Sequence, residues 1–340
     1  MCGWTGTSSP NKLAGKRLRN LPNYHHFPLG DLPGGSLMSR IILSLVLLCL
    51  SIGTATAAEK SKHVLLLGID GCRFDAMSKA KTPNLDKLMA NGKYSNALIL
   101  GDRYQENDTV SGPGWGSIVT GVWADKHNVQ DNGFKEPHFD KFPHFFHWVK
   151  QELPEAKTIS IINWSPIKTF MVSDADISID TTTIPKSYQL WDNTAAAQAA
   201  DLIEKESPTA MMLYFGEVDE TGHAHGFHPS VPEYIDAIEH VDSLVGKVLE
   251  AIEKKTDQEW LIVVTSDHGG LGTGHGGGHD KPEILNSFLI VSGEGAEKGK
   301  FDKQVYIVDA VPTCLAYLGL KIDDAWQLDG HPVGLKSDEK

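Results

Sequence analysis

A chain of 340 residues with 41% hydrophobic and 22% charged residues has the composition of a globular protein rather than a disordered one. Its formal net charge of −13 argues against a nucleic-acid-binding surface, which is normally basic. The same charge does not exclude an anionic small-molecule substrate, because bound cations can reverse a local field.

In chain order, residues 1–37 lack strand or helix periodicity and read as an extension ahead of the true start. Residues 38–58 read as a secretory signal peptide: Arg40, an apolar run from Ile41 to Ile52, then Ala55, Thr56 and Ala57 as a small-residue cleavage site. The run is short for a bilayer crossing. An exported chain, periplasmic or secreted, with no membrane span after processing is therefore expected, and an uncleaved anchor is the alternative. Residues 59–340 form one domain, with a less regular insertion expected around 135–195. They keep two cysteines, Cys72 and Cys314, too few for a disulfide scaffold, and the sequence leaves open whether these pair.

Three apolar runs read as buried strands: His63 to Ile69, ending at Asp70 and Gly71; Ala210 to Gly216, leading to Asp219; and Trp260 to Thr265, ending at Asp267 and His268. The segments between them read as helices. Thr82 and Pro83 start one that Gly92 closes. Ser230 and Glu233 match a capping box, followed by an apolar stripe through Ile235, Ile238, Val241, Val245, Val248 and Ile252. A last helix begins near Asp309 and Pro312. Strands alternating with helices give an α/β fold, a three-layer α/β/α sandwich with a mainly parallel central sheet. Ligands bind such sheets outside the carboxyl ends of the strands, where the three aspartates fall.

The chemistry concentrates in four places. Asp267 and His268 open a glycine-rich stretch to His279, and a carboxylate next to an imidazole at a strand end can address two metals a few ångströms apart. Asp219 and His223 are four residues apart, so one helical turn aims both at one ion; the nearby His225 and His228 read as surface or supporting residues. Asp70 with Gly71 is by itself only a turn signal. Ser111 precedes a short helix read as Gly116 to Val122, where backbone N–H groups and the helix dipole favour an anion; a hydroxyl nucleophile fits there, with Thr109 as its rival. Mixed nitrogen and oxygen donors suit zinc better than calcium or magnesium. Of the later histidines, His275 is preferred over His279 as a further ligand because glycines flank it on both sides and let the backbone turn sharply.

These motifs together resemble the alkaline phosphatase superfamily, and within it the type I phosphodiesterase and nucleotide pyrophosphatase branch. Residues 81–92 are similar to its first helix, Ser117 to Gly121 with His127 to the stretch after the nucleophile, and Gly216 to His223 and Ser266 to Gly269 to its metal motifs. Val308 to Gly319 and Leu328 to Val333 are similar to its C-terminal helix and closing turn. The resemblance implies two Zn2+ per chain. One would be held by Asp70, Ser111, Asp267 and His268, the other by Asp219, His223 and a third histidine from the glycine-rich loop. It implies a small-molecule phosphate ester substrate and a phosphoseryl intermediate on Ser111, which lies ten positions before Gly121.

The sequence also departs from its relatives. Nucleotide pyrophosphatases carry Phe-Pro-Asn after their threonine nucleophile, the Asn contacting the phosphoryl oxygen, whereas Gly112, Pro113 and Gly114 stand here, so that contact is missing. Sulfatases carry Cys or Ser followed by x-Pro-x-Arg; Trp115 takes the place of that arginine, which leaves a sulfatase as the runner-up. A phosphotransferase or mutase of the same fold would normally lack the export signal. A non-enzymatic binding protein on this scaffold would be expected to lose its metal ligands first, and each expected ligand type is present.

Overall fold

The three apolar runs are strands, and they lie side by side. In the computed structural model, which describes residues 60–101, 103, 105–183 and 185–337, β1 (Ser61–Ile69) pairs in parallel with β5 (Ala210–Phe215) on one edge and β6 (Gln258–Thr265) on the other. The expected extension and signal peptide lie outside the described residues. Ile69 is level with Phe215, and Gly68 with Thr265, so the three strands end on one rim. That register puts Asp70, Asp219 and Asp267 at the same end of the sheet.

The sheet continues on both sides in the order β4–β3–β5–β1–β6–β7–β2–β8. β3 (Thr158–Ile162) and β4 (Ile177–Asp180) extend it in parallel beyond β5. β7 (Asn286–Gly293) runs antiparallel to both β6 and β2 (Gly92–Leu98), while the short β8 (Gly299–Lys300) and β9 (Val305–Tyr306) pair in parallel with β2. The sheet is thus mainly parallel with one reversed strand.

Side chains alternate across β1, as a period of two requires. Val64 and Leu66 pack on one face with Trp115, Ile118, Phe145, Phe146 and Cys314. Leu65, Leu67 and Ile69 pack on the other with Cys72, Leu85, Ala195, Ala199, Val241 and Val245. The first layer holds helices α2 (Ser111–Thr120), α3 (Phe145–Glu152) and α7 (Ala310–Tyr317). The second holds α1 (Pro83–Asn91), α4 (Tyr188–Glu206) and α6 (Pro232–Glu253). This is the expected three-layer sandwich, and residues 59–340 make up one compact unit. The two cysteines are free and buried in opposite layers. Among the described residues no helix is long and apolar enough to cross a membrane.

Three local expectations change. The Ser230–Glu233 capping box does not form: α6 starts at Pro232 with Val231 as its cap, and the Ser230 hydroxyl instead bonds His228 Nδ1 at 2.7 Å. Pro232 fixes the first helical φ and moves the start one residue past where Ser230 could reach. The helix read from Gly116 begins at Ser111. Its glycines permit close approach, since a Cβ on Gly114 would stand 2.8 Å from Asp267 Cβ. Residues 135–195, read as a less regular insertion, contain α3, β3, β4 and the first turns of α4. Ser160 and Ser178 blur the apolar pattern of the two strands, and β4 is only half-buried on the sheet edge.

Candidate metal centre and nucleophile

At the rim, each carboxylate has one oxygen held by the protein and one left over. Asp70 Oδ2 accepts from Tyr214 Oη at 2.5 Å and from Trp115 Nε1 at 2.9 Å. Asp267 Oδ1 accepts the Gly71 N–H at 3.2 Å. Asp219 Oδ2 lies 3.4 Å from His223 Nε2. Asp70 Oδ1, Asp267 Oδ2 and Asp219 Oδ1 are buried without a hydrogen-bond partner. Gly71 permits this closeness: its φ is +62°, and a Cβ there would lie 2.5 Å from Asp219 Oδ1.

His268, fully buried, is oriented by its Nδ1–H, which donates to the Gly269 carbonyl at 2.8 Å. Its Nε2 then faces Asp267 Oδ2 at 3.2 Å, Asp70 Oδ1 at 3.5 Å and Ser111 Oγ at 3.3 Å. Ser111 is the first residue of α2, so its hydroxyl sits at a helix N-terminus beside these groups.

Asp219 and His223 project from one face of α5 (Glu217–His225), as their spacing predicts. His275 meets them from the glycine-rich loop, its Nε2 3.0 Å from His223 Nε2 and 3.6 Å from Asp219 Oδ1. Both rings donate their Nδ1–H to carbonyls, His223 to Thr273 at 3.0 Å and His275 to Thr109 at 3.1 Å. Two imidazole lone pairs therefore point at each other, an arrangement that needs a proton or a cation between them. His279 stays outside, exposed, with Nε2 2.7 Å from the Asn107 carbonyl, and His225 and His228 are also exposed. The His268 and His275 rings stack at 3.7 Å, so the two groups of ligands adjoin. Donor atoms of Asp219, His223 and His275, and separately of Asp70, Asp219 and His268, lie within 4.8 Å of one another.

The electrostatics agree with an ion-binding rim. Burial, then the Asp219 charge, pushes Asp70 up to about 6. Burial followed by the charges of Asp70 and Asp219 raises Asp267 well above the usual carboxylate range. For Asp219, burial works in the same direction but is outweighed by His223, His268 and His275, leaving it lowered. His223 rises to about 9 through its bond to Asp219, whereas burial, then His268, lowers His275 to about 3. Three clustered carboxylates with unpaired oxygens, facing imidazole lone pairs, suit cations with mixed oxygen and nitrogen ligands.

Residues 64–324 match the family profile described as type I phosphodiesterase / nucleotide pyrophosphatase. The chain belongs to this family. It is a family of hydrolases within the alkaline phosphatase superfamily. Relatives include an uncharacterized pyrophosphatase/phosphodiesterase of Schizosaccharomyces pombe, 26% identical over 61% of this chain and 44% of its own length. Ectonucleotide pyrophosphatase/phosphodiesterase family member 7 of Rattus norvegicus is 25% identical over 68% of this chain and 56% of its own. The chain thus spans about half the length of these curated relatives. Among solved structures, a 2-O GAG sulfatase superposes with a TM-score of 0.66 at 14% identity, covering 83% of this chain and 76% of that one. Murine ectonucleotide pyrophosphatase/phosphodiesterase 5 gives 0.55 at 17%, covering 76% and 95%. At these identities the superpositions speak to fold alone.

Two side chains of this phosphodiesterase-family site escaped the sequence reading. Asn132 Oδ1 accepts the Gly112 N–H at 2.6 Å, so an exposed amide lies on the first backbone donor after Ser111, where the Gly112–Gly114 stretch has no polar side chain to offer. Nothing marked it, because Asp131, Asn132 and Gly133 read as ordinary turn residues. Tyr188 packs against Gly216 and lies close enough to Glu220, Asp70 and Asp219 for burial and then these charges to raise it to about 12. Thr109, the rival nucleophile, is engaged elsewhere: its Oγ1 donates to the His275 carbonyl at 2.5 Å and accepts from the Gly278 N–H at 2.8 Å.

Proposed function

We propose that this chain is an exported phosphoric ester hydrolase that works with two zinc ions and uses Ser111 as its nucleophile. The observation that carries the reading is the convergence, beside one serine hydroxyl at a helix start, of three half-satisfied carboxylates and two imidazoles whose lone pairs oppose each other at 3.0 Å. Asp70, Ser111, Asp267 and His268 would hold one ion, and Asp219, His223 and His275 the other. When bound, the ions supply positive charge for the nucleophile and for the phosphoryl oxygens. Ser111 attacks phosphorus, the ester oxygen leaves, and water then hydrolyses the phosphoseryl ester. Ser111 stands at the positive end of α2, where Asn132 Oδ1 holds the Gly112 N–H and the Val110 carbonyl holds the Gly114 N–H, so the helix end would favour the phosphoryl charge through its dipole.

The substrate is a small phosphate ester, monoester or diester. A sulfatase reading is weaker, because Trp115 stands in place of the arginine and is committed to Asp70. Steady-state assays with an aryl phosphate, an aryl phosphodiester and an aryl sulfate test this directly. The phosphate esters should turn over with zinc present and stop on chelation, while preference for the sulfate would overturn the proposal. Export rests on the segment 38–58, and mass spectrometry of natively expressed protein should find an N-terminus near Ala58 or Glu59.

A further inference from the structure

We propose that Thr109 is a positioning residue for His275, and that the short strap Asn107–Thr109 sets how tightly the Asp219–His223–His275 group holds its ion. This rests on the ion-binding reading above. His275 lies on a loop with glycine at 272, 274, 276, 277 and 278. Such a loop loses much conformational entropy on being fixed in one shape, so something has to hold it.

The strap does so at five points. Thr109 Oγ1 donates to the His275 carbonyl and accepts the Gly278 N–H, so one hydroxyl closes the turn around the ligand. The Thr109 carbonyl takes the His275 Nδ1–H, which fixes the tautomer and leaves Nε2 free to ligate. Asp108 Oδ1 accepts the Gly277 N–H at 2.6 Å, and the Asn107 carbonyl accepts from His279 Nε2. Thr109 is only 2% exposed, and its β-branched side chain has few rotamers, so the clamp is dry and stiff. It also lies two residues before Ser111, which ties the loop carrying His275 to the start of α2. The two places from which the nucleophile could have come are thereby divided in role: Ser111 faces His268, and Thr109 faces the backbone of the opposite loop.

Thr109→Val keeps the shape and the carbonyl but removes the hydroxyl, leaving two buried backbone groups unpaired. The full chain is stripped of metal, and Zn2+ affinity is measured by competition with a chromophoric chelator. Co2+ is used in parallel, its visible absorption reporting the ligand geometry. Thr109→Val should weaken one of two ions by about 10–100-fold, the range for lost supporting hydrogen bonds. It should also change the cobalt spectrum and leave the other ion within about threefold. Thr109→Ser should restore the lost affinity. Near-UV circular dichroism checks the fold. Should the valine variant not fold, Asp108→Ala, which frees the Gly277 and Thr109 N–H groups but keeps the Thr109 hydroxyl, should show a loss of the same ion. Wild-type affinity for both ions in these variants overturns the clamp. A wild-type chain that takes up neither metal refutes the ion-binding reading itself.

Discussion

The 3.0 Å gap between the His223 and His275 Nε2 atoms admits one proton or one cation, and this predicts how metal affinity depends on pH. The bond to Asp219 raises His223 to about 9, so near neutral pH the proton occupies the gap and must leave before an ion enters. His275, lowered to about 3, is already neutral and contributes no proton. Zinc affinity at this group should therefore rise about tenfold per pH unit up to about 9 and flatten above it. Asp70, raised to about 6, adds a second displaced proton at the adjoining group below that pH. Both folded-state values are raised, so both terms weaken binding as pH falls. In the metal-free chain the dependence for His223 runs the other way: its ion pair stabilises the fold below about pH 6.5, and that contribution is lost as pH rises through about 9. Calorimetric zinc titrations at pH 7 in buffers of different ionisation enthalpy read the proton count, expected to be about one at this group and absent in His223→Ala. The His223 side chain is 41% exposed, so solvent partly screens its pairing with Asp219. Affinity independent of pH between 6 and 8, with no proton released, would refute the assignment of the gap.

The remaining predictions concern single side chains. Ser111→Ala should cut turnover of an aryl phosphodiester by about three orders of magnitude or more with an unchanged thermal midpoint, because its hydroxyl makes one 3.3 Å contact and little else. His275→Ala should lose about one zinc by elemental analysis along with nearly all turnover, whereas His279→Ala should keep both ions; the reverse result would move the ligand to His279. A Cβ on Gly68 would stand 2.1 Å from Trp115 Cη2, so Gly68→Ala must displace the indole that donates to Asp70. Overpacking of this kind costs about 1–3 kcal/mol. A drop of roughly 3–10 °C in the melting temperature should follow, with lower activity.

The sandwich was legible because its three central strands are continuous apolar runs, each ending in an acidic residue on one rim. The edges were less so. β4 is half-buried, and β3 carries Ser160 inward, so neither has a pattern that stands out from a loop. Glycines misled most. The helix reads as starting only at Gly116, yet Gly114 and Gly116 are where α2 presses against Asp267 and His127. Sequence can register the absence of a side chain but not the neighbour that forbids one. For the same reason Asp70, a weak turn signal alone, became interpretable only through its two companions. Asn132 and Tyr188 reach the rim from the segments after α2 and before β5, at separations no local period reports.

Trp115 joins the parts of this reading that sequence kept apart. It entered as a departure, a bulky apolar residue in the place of an arginine. In the fold its indole lies across Gly68 of β1, packs edge-on to Tyr214 of β5 at 5.2 Å, and sends Nε1–H to Asp70 Oδ2. An arginine there would bring a positive charge to the rim and compete with any cation for the same carboxylate. A neutral donor instead holds one oxygen of Asp70 and leaves the other with its charge. Tyr214 does the same from the strand, and Gly71 N–H does it for Asp267. The rim carboxylates are therefore held against rotation by neutral donors, with burial and mutual repulsion raising Asp70 and Asp267 until a cation enters. Rigid ligands with uncompensated charge lower the cost of ordering the site when an ion binds, at the expense of a metal-free state strained by like charges. By that argument the tryptophan orients a rim carboxylate without adding a competing charge, and it ties the apolar core beneath the sheet to the groups at its edge.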